Sequence, residues 1–170
     1  GPEEFIKLLG DNNYDYEIHR HEALFTVEDS YNLRGKIKGS HSKNLFLKNK
    51  KNKFFLISCE EFTNINLKKL SKSLGFGNIS FARDEYLKDL LNIKPGSVTP
   101  FALLNDQKNN VSFYLEDKLF NSDFVNFHPL INTATITMSC EGFIKLMIEN
   151  NKKIHIFSIE SEKIIKTYGE

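Results

Sequence analysis

Two short apolar runs separated by a polar turn constrain the fold of this chain more than any other feature. Residues 43–48 (KNLFLK) and 53–59 (KFFLISC) both have the length and apolar character of β-strands. The intervening residues NKKN are turn-like, so the sequence predicts a β-hairpin. Further strands are predicted at 15–21, 111–115, 124–127, 133–138 and 154–159.

Segments with helical spacing lie between these strands. Residues 66–74 place Leu67, Leu70 and Leu74 on one face, and Gly75 follows as a helix stop. Because strands and helices are interleaved, the pattern favours an α+β or mixed α/β domain with a central sheet. Helices are also predicted at 3–9, 83–93 and 140–149, and the capping box TVED (26–29) predicts one through about residue 33.

The length and even composition of the chain fit one compact domain. Its 170 residues contain no internal repeat, no low-complexity linker and no break in composition. We therefore expect a single domain over 3–170. The opening Gly1-Pro2 resembles a scar of protease cleavage.

Positive charge is concentrated in one segment. Ser30 to Cys59 holds eight of the 23 basic residues and no Asp or Glu, whereas the net charge of the chain is only +1. Such a segment can steer a polyanion to one face of a protein. A solvated, lysine-rich hairpin is the alternative interpretation, and charge alone does not separate the two.

Several classes of protein are excluded or disfavoured by what the sequence lacks. No apolar run approaches the length of a membrane span. The two cysteines, Cys59 and Cys140, have no paired spacing, which suits free thiols in a reducing cytosol, so a cytoplasmic protein is expected. The histidines show no zinc-ligand spacing with these cysteines, and neither GxSxG nor a P-loop is present. We expect no metal, no cofactor and no catalytic cysteine.

Lys43 and Asn44, at the start of a predicted strand, are the first candidate site residues. An ammonium and an amide in this position could hold a phosphate or a ribose, because lysine carries a point charge with three donors. The alternative is one more exposed lysine on a basic hairpin.

The second candidate is the loop PGSVTPF (95–101). Two prolines bracket a glycine-containing turn, so the loop is stiff and its backbone can approach a ligand closely. Free N–H groups in such a turn can bind the oxygen of a polarised ester carbonyl. A simple connection with Pro100 in a first helical turn is the alternative.

The third candidate is the segment HPLINTAT (128–135). His128 follows an apolar strand and could act as a general base, as a donor to substrate, or as a structural residue. Asn132 and Thr133 could supply directed hydrogen bonds or form a turn.

Taken in order, these segments resemble the YbaK/ProX family of aminoacyl-tRNA editing domains. The resemblance rests on KNLFL (43–47), PGSVTPF (95–101) followed by LLND, and VNFHPLINTAT (125–135), and it covers about 16–158. Within this family, the sequence is most similar to the alanine-specific branch, ProXp-ala. It implies an α+β (mixed α/β) domain in which helices flank a central mixed, largely antiparallel sheet. The implied activity is trans-editing, the hydrolysis of a wrong amino acid from the 3′ end of a tRNA, with Ala-tRNA(Pro) as the expected substrate.

The resemblance also assigns roles to individual residues. Lys43 matches the essential lysine of the family, Gly96 and Pro100 match the ends of its GxxxP loop, and His128 matches its HPL histidine. Family members that contact the acceptor stem carry basic residues where this chain reads GNIS (77–80). The predicted catalytic group is Lys43, Gly96, Ser97, Thr99 and His128; the substrate-binding group is Asn44, Phe46, Val98, Pro100, Phe101 and Asn132; and the tRNA-binding group is Lys36, Lys38, Lys48, Lys50 and Lys51.

The expected mechanism needs no covalent intermediate. Lys43 would anchor the terminal adenosine or its phosphate, and backbone N–H groups of 96–99 would polarise the carbonyl while the ribose 2′-OH orients water. A small pocket walled by Phe46, Val98 and Phe101 would exclude proline by size.

The expected partners are aminoacylated tRNA(Pro) and prolyl-tRNA synthetase, with no membrane. Four alternatives stay open: a Cys- or Ser-specific deacylase, a tRNA-binding module without catalysis, a hydrolase of other small esters, and an editing domain excised from a prolyl-tRNA synthetase.

Overall fold

The structure is a computed structural model that describes residues 1–23 and 37–169. The predicted capping box TVED with its helix, and Lys36, lie outside these residues. The described helices are α1 (Pro2–Asp11), α2 (Leu67–Leu74), α3 (Asp84–Tyr86) continued by a π-helical turn (Leu87–Leu91), a 3-10 helix (Pro100–Asn105), α4 (Asp117–Phe120) and α5 (Cys140–Glu149). The described strands are β1 (Glu17–Arg20), β2 (Ser40–Asn49), β3 (Phe54–Glu60), β4 (Ile79–Phe81), β5 (Val111–Glu116), β6 (Phe124–Phe127), β7 (Ala134–Ser139), β8 (Ile154–Ser158) and β9 (Lys163–Tyr168).

These strands form one mixed sheet. Its order is β1-β7-β6-β2-β3-β5-β8-β9, with β4 paired beside β2. The pairs β2–β6, β3–β5 and β5–β8 are parallel, and the other described pairs are antiparallel. The predicted α+β fold with a mixed, largely antiparallel central sheet flanked by helices is therefore confirmed. None of the helices in the described ranges is long and apolar enough to cross a membrane.

The predicted hairpin is the centre of this sheet. β2 and β3 pair continuously from Ser42 opposite Glu60 to Lys48 opposite Phe54. The turn between them is held by buried Asn49, whose side-chain Oδ1 accepts hydrogen bonds from the N–H groups of Lys51 (3.0 Å) and Lys53 (2.9 Å). An asparagine that replaces backbone acceptors in this way stabilises a turn locally, which is why the sequence signal was strong.

Local signals also fix α2. The side chain of Asn66 accepts a hydrogen bond from the N–H of Lys69, and Gly75 ends the helix in the left-handed conformation (φ +74°). The helix predicted over 83–93 is shorter and changes to π-helical geometry at Leu87, and it ends at Asn92 with φ +53°. The sequence did not predict β4, α4 or β9, and the 3-10 helix begins at Pro100, as the alternative interpretation of the proline-bracketed loop expects.

The sheet separates two apolar clusters, as the alternation of strand residues requires. Along β2, Phe46 packs into the larger cluster, with α1, the 3-10 helix and α5, whereas Leu47 packs into the smaller cluster beneath α2. The same alternation holds in β3, where Leu56 and Ile57 face opposite sides. Each residue of β2 can therefore be assigned to one face of the sheet.

Candidate functional site

The candidate site lies at a gap in the pairing of β2. On the side of β2 away from β3, Ser40 and His41 pair with β6, and Leu47–Asn49 pair with β4. Within residues 1–23 and 37–169, no strand pairs with Ser42–Leu45 on that side. We call this stretch the β2 gap. It contains both of the residues, Lys43 and Asn44, that the sequence singled out.

Asn44 faces the side of the sheet that carries the larger cluster. Its side-chain Oδ1 accepts a hydrogen bond from the hydroxyl of Ser58, its partner across the hairpin, and its Nδ2 lies 3.3 Å from Ser42 Oγ. Ser42 Oγ in turn donates to the carbonyl oxygen of Asn126 in β6 (2.7 Å). These bonds fix the amide of Asn44 in one orientation, as a directed contact to substrate requires.

Lys43 extends from the opposite face of the same strand. It stands across the hairpin from Cys59, and its Nζ donates a hydrogen bond to the backbone carbonyl of Thr63. Burial, and to a smaller extent the negative charge of Glu116, raise the pKa of the Cys59 thiol to about 12 against the opposing positive charge of Lys43. The side chain of Lys43 is half-buried, and the bond to Thr63 uses one of its three N–H donors. The sequence motifs also lead us to expect that Lys43 and the backbone around Gly96 line one small cavity, and this stays a prediction.

A buried carboxylate supports the turn that Lys43 contacts. Glu116, 1% exposed at the end of β5, accepts hydrogen bonds from the N–H of Glu60 (2.9 Å) and from the hydroxyl of Thr63 (2.8 Å). Burial raises the pKa of Glu116 above its ordinary value, while these two hydrogen bonds act in the opposite direction. Sequence reasoning missed this residue because nothing local distinguishes a glutamate at a strand end from a solvated one.

The proline-bracketed loop contains a turn centred on Gly96. Gly96 is exposed with φ +85°, a conformation that glycine adopts without strain. The N–H of Ser97 donates to the carbonyl of Lys94 (3.1 Å), so this donor is engaged within the turn. Thr99 is fully buried, and its Oγ1 accepts the N–H of Phe101 (3.3 Å) as the cap of the 3-10 helix. The roles predicted for Ser97 and Thr99 stay predictions, and the cap shows that Thr99 also has a structural task.

Aromatic packing ties this loop to the end of β6. Phe101 is fully buried, with its ring centroid 5.7 Å from that of Phe127, the residue before His128. Phe46 and Pro100 are also buried, and Val98 is the partly exposed member of the predicted pocket wall. The loop and the histidine segment are therefore held together through the larger cluster, to which Phe46 also belongs.

His128 is positioned as a neutral imidazole. Its Nδ1 lies 2.8 Å from the carbonyl oxygen of Ala134, and because a carbonyl only accepts, Nδ1 carries the hydrogen. Burial lowers the pKa of His128; the hydrogen bond to Ala134 opposes this, and the nearby His21 and His41 lower it further. In the neutral form Nε2 keeps its lone pair, so it can accept a proton or a hydrogen bond.

His21 is a site neighbour that sequence reasoning did not single out. Its ring centroid lies 6.2 Å from that of His128. Its Nδ1 donates to the carbonyl of Glu22 (2.7 Å), and its Nε2 lies 2.8 Å from the hydroxyl of Thr135. The sequence predicts a strand over 15–21, but only the pairing of β1 with β7 brings the two imidazoles together.

The turn after His128 contains an unusual backbone conformation. Leu130 has φ +66°, and its N–H donates to the carbonyl of His128 (3.0 Å). A left-handed conformation costs a residue other than glycine about 1–2 kcal/mol. Such conformations persist where the surrounding structure enforces them, often at functional sites. Asn132, a predicted substrate contact, is buried two residues further on.

Those predicted tRNA-binding lysines that the structure describes lie just before β2, along it and in its turn. Lys50 and Lys51 are exposed at the turn, about 20 Å along the strand from Asn44 at roughly 3.3 Å per residue. Lys48 is half-buried, with Nζ 3.1 Å from Asn52 Oδ1. Lys38 lies 3.3 Å from the carboxylate of Glu17 and above the ring of Phe124, so part of its charge is neutralised locally.

An open groove of about 570 Å³ lies along α2, on the side of the smaller cluster. It is lined by Lys68, Lys72, Ser71 and Asn78, among others. The resemblance places acceptor-stem contacts in this region, and the basic residues that line the groove, Lys68 and Lys72, belong to α2. Among the described residues, no group of three His, Cys, Asp or Glu side chains is arranged to hold a metal ion.

Comparison with known proteins identifies the family. The family model described as "Aminoacyl-tRNA editing domain" matches residues 21–146, a range that includes the β2 gap, the proline-bracketed loop and the His128 segment. The chain belongs to the aminoacyl-tRNA editing domain family.

Relatives agree with this assignment to the editing family. The chain is 38% identical over 133 residues to "Prolyl-tRNA synthetase associated domain-containing protein 1" of Bos taurus, covering 75% of this chain and 77% of that one. It is 29% identical over 146 residues to "Prolyl-tRNA editing protein ProX" of Acetoanaerobium sticklandii, covering 85% and 89%. The same fold occurs in a solved structure described as "a putative trans-editing enzyme for prolyl tRNA synthetase", with a TM-score of 0.66 and 16% identity over 89% of this chain and 90% of that one. The resemblance to YbaK/ProX editing domains is thereby confirmed.

Proposed function

We propose that this editing domain is an aminoacyl-tRNA deacylase that hydrolyses the ester at the 3′-terminal ribose of mischarged tRNA, with Ala-tRNA(Pro) as its preferred substrate. The observation that carries the proposal is the β2 gap itself. There Asn44 is oriented by hydrogen bonds, and β6, which borders the gap through its pairing with Ser40 and His41, ends at a neutral His128. Membership in the editing family and the name of the ProX relative support the same reading.

The chemistry asked of the site is modest because an aminoacyl ester is already activated. Water attacks the carbonyl carbon, the bond to the ribose oxygen breaks, and that oxygen takes a proton, which leaves a free amino acid and a tRNA with an intact 3′ hydroxyl. Positioning and polarisation of the carbonyl then supply most of the acceleration.

Each site residue has a role in this scheme. Lys43 anchors the terminal nucleotide through its charge, and Asn44 donates to the ribose or the acyl group. Backbone N–H groups of Gly96, Val98 and Thr99 polarise the carbonyl, since that of Ser97 is bonded to Lys94. The Nε2 of His128 accepts a proton from water, or a hydrogen bond from the 2′-OH that orients this water.

Specificity for alanine would come from exclusion. A pocket can discriminate one or two methylenes by only about 1–3 kcal/mol through attraction, whereas a rigid wall rejects a larger group by steric clash. Phe46 and Phe101 are packed in the core and cannot yield easily, and Val98 is the partly exposed residue of this wall. We therefore expect proline to be excluded.

Prolyl-tRNA synthetase, the source of Ala-tRNA(Pro), is the proposed partner, and the cytoplasm is the proposed location.

The proposal is tested by deacylation of tRNA(Pro) charged with alanine, cysteine, serine or proline. The wild-type protein should hydrolyse the alanyl ester fastest and spare the prolyl ester. Lys43→Met, which keeps the length of the side chain, should reduce kcat/KM for Ala-tRNA(Pro) at least a hundredfold while the melting temperature stays close to that of the wild type. Lys153→Met, at an exposed position before β8, is the matched control and should be fully active.

Three outcomes would contradict parts of the proposal in different ways. Full activity of Lys43→Met would remove Lys43 from the mechanism. Tight binding of tRNA(Pro) by the wild-type protein, without loss of any ester, would show a tRNA-binding module in place of an enzyme. Faster loss of the cysteinyl or seryl ester would retain the enzyme and change its specificity.

A further inference from the structure

Phe81, the last residue of β4, lies at one end of the β2 gap. β4 pairs with β2 on the side away from β3, with Phe81 opposite Leu47. The next N–H along the chain, that of Ala82, donates to the carbonyl of Phe46 (2.9 Å), and the gap begins at the neighbouring residue of β2, Leu45. Although Phe81 stands opposite a fully buried leucine, it is itself 61% exposed. An apolar ring is thus presented to solvent at the border of the gap.

The alternation of strand residues places Phe81 on the same face of the sheet as Lys43. Residues directly opposite each other in two paired strands share a face, and so do alternate residues of one strand. Phe81 therefore shares the face of Leu47, and Lys43 does so too, because it lies four residues from Leu47 along β2. At roughly 3.3 Å per residue, the backbones of Leu47 and Lys43 are about 13 Å apart. Phe81 and Lys43 thus extend from one face, near opposite ends of the gap.

The groove of about 570 Å³ along α2 adjoins Phe81 on this face. Ile79, which lies two residues before Phe81 and on the same face of β4, is part of the groove lining. The two residues are about 7 Å apart along the strand. α2 carries three exposed lysines and no acidic residue, and two of these lysines, Lys68 and Lys72, line the groove. A polyanion is the ligand that complements this charge.

An aromatic ring between two positively charged sites matches the chemistry of single-stranded RNA. Proteins that bind unpaired strands hold the phosphates with basic residues and stack the bases on exposed aromatic side chains. The 3′ end of a tRNA is single-stranded, so its bases are free to stack. A single exposed apolar side chain is common on protein surfaces and means little alone. The position of Phe81, between the α2 lysines and Lys43 on one face, is what indicates a ligand.

We propose that the single-stranded 3′ end of the tRNA substrate crosses this face, from the α2 lysines over the ring of Phe81 to Lys43. Phe81 stacks on a base that precedes the terminal nucleotide, and Lys43 holds the terminal nucleotide at the gap. This inference rests on the proposed function, and it adds a substrate-binding residue outside the motifs described above, together with a path for the strand. Because every base has a flat face, the contact fixes this path and not the sequence of the strand.

The test uses uncharged RNA, so that binding is measured separately from hydrolysis. Fluorescence anisotropy would compare two tRNA(Pro) acceptor minihelices, one with its single-stranded 3′ end and one cut back to the blunt duplex. The wild-type protein should bind the first more tightly. Phe81→Ala should weaken this binding roughly 5- to 150-fold, the equivalent of about 1–3 kcal/mol for one stacked base, and leave binding of the blunt duplex unchanged. Phe81→Tyr, which keeps a stacking ring, should bind both as the wild type does.

The contribution of the α2 lysines is measured through salt. Lys72→Gln removes one positive charge from the groove lining. If Lys72 contacts a phosphate of the single strand, the slope of log Kd against log salt concentration for the minihelix with the 3′ end should fall by about 0.7. An unchanged slope would remove α2 from the path and overturn that part of the inference.

Phe62 offers a matched control because it is also 61% exposed but follows β3, on the other side of β2. Phe62→Ala should leave both affinities unchanged. The inference is overturned if the wild type binds both RNAs equally, if Phe81→Ala keeps the wild-type preference for the single-stranded end, or if Phe62→Ala shows the same selective loss. Failure of the proposed function would look different, because the wild-type protein would then show the preference that depends on Phe81 but leave Ala-tRNA(Pro) intact.

Discussion

Replacement of Glu116 tests whether a buried carboxylate sets the position of Lys43. Glu116→Ala removes the acceptor of two hydrogen bonds, one from Glu60 N–H and one from Thr63 Oγ1. Each of the two hydrogen bonds contributes about 0.5–1.5 kcal/mol, so their loss together costs about 1–3 kcal/mol, and loss of the side chain from a fully packed position adds about 1–2 kcal/mol. The free energy of unfolding should therefore fall by roughly 2–5 kcal/mol, which for a chain of this size lowers Tm by about 5–15 °C.

Comparison with the conservative variant Glu116→Gln separates the effect of the position of Lys43 from the effect of the charge of Glu116. Glu116→Gln keeps a carbonyl oxygen that can accept both hydrogen bonds, so it should lose less than half as much stability. At 20 °C, where both variants should be folded, Glu116→Ala should lower kcat/KM for Ala-tRNA(Pro) at least tenfold, since the carbonyl of Thr63 no longer fixes Lys43. Glu116→Gln should keep most of the activity. The reasoning fails if Glu116→Ala melts with the wild type, or if it is destabilised but fully active.

The pH dependence of the stability of the wild type and of Glu116→Gln gives an independent check on the direction of the Glu116 pKa shift. Burial raises the pKa of Glu116 in the folded protein above its ordinary value of 4.5, so the folded state keeps this proton to higher pH than the unfolded state does. The contribution of Glu116 to stability is then largest below pH 4.5 and declines as pH rises through the folded pKa. The stability of the wild type relative to Glu116→Gln should fall over this range, as thermal unfolding from pH 4 to pH 8 would measure. A difference that rises with pH would show that the hydrogen bonds outweigh burial.

Two further predictions concern buried groups near the sheet. Burial lowers the pKa of His128, so its contribution to stability is complete above the ordinary value of 6.5 and is lost as pH falls through the folded pKa. His128→Gln should therefore reduce the loss of Tm between pH 7.5 and pH 5. An unchanged loss would contradict a buried neutral imidazole. Burial raises the pKa of Cys59 to about 12 and that of Cys140 to about 11, so neither thiol should react with iodoacetamide at pH 8 in the folded protein. Both thiols should react in guanidinium chloride, and the folded protein should keep its deacylation activity after the treatment. Rapid modification of the folded chain with loss of activity would instead indicate a catalytic cysteine.

The elements that the sequence predicted are those with strong local signals. The hairpin turn is closed by Asn49, and α2 begins at the Asn66 cap and ends at a left-handed Gly75, so each boundary is set by residues close in sequence. The missed strands lack such signals. β4 has only three residues, and β9 is exposed along most of its length, so neither carries the alternation of buried and exposed residues that identifies a strand.

The residues of the candidate site also fall into those that local sequence patterns reveal and those that they do not. The motifs pointed to Asn44, the proline-bracketed loop and His128, because residue type and spacing are visible in one dimension. They could not reveal His21 or Glu116, which reach the site through the pairing of β1 with β7 and of β3 with β5. Such contacts join segments far apart in the chain, and no local pattern of residue types encodes them.

The gap in β2 explains how two consecutive strand residues could serve one ligand. Neighbouring side chains of a strand point to opposite faces of a sheet, so Lys43 and Asn44 would be separated by the sheet itself if β2 were paired on both sides. We propose that a nucleotide enters along Ser42–Leu45, where none of the described residues forms a strand on one side of β2, and meets both faces. On this reasoning the lysine binds the nucleotide from one face, and the asparagine, the proline-bracketed loop and His128 meet the acyl group from the other. Closing the gap with a strand would therefore abolish deacylation even if every site residue were retained.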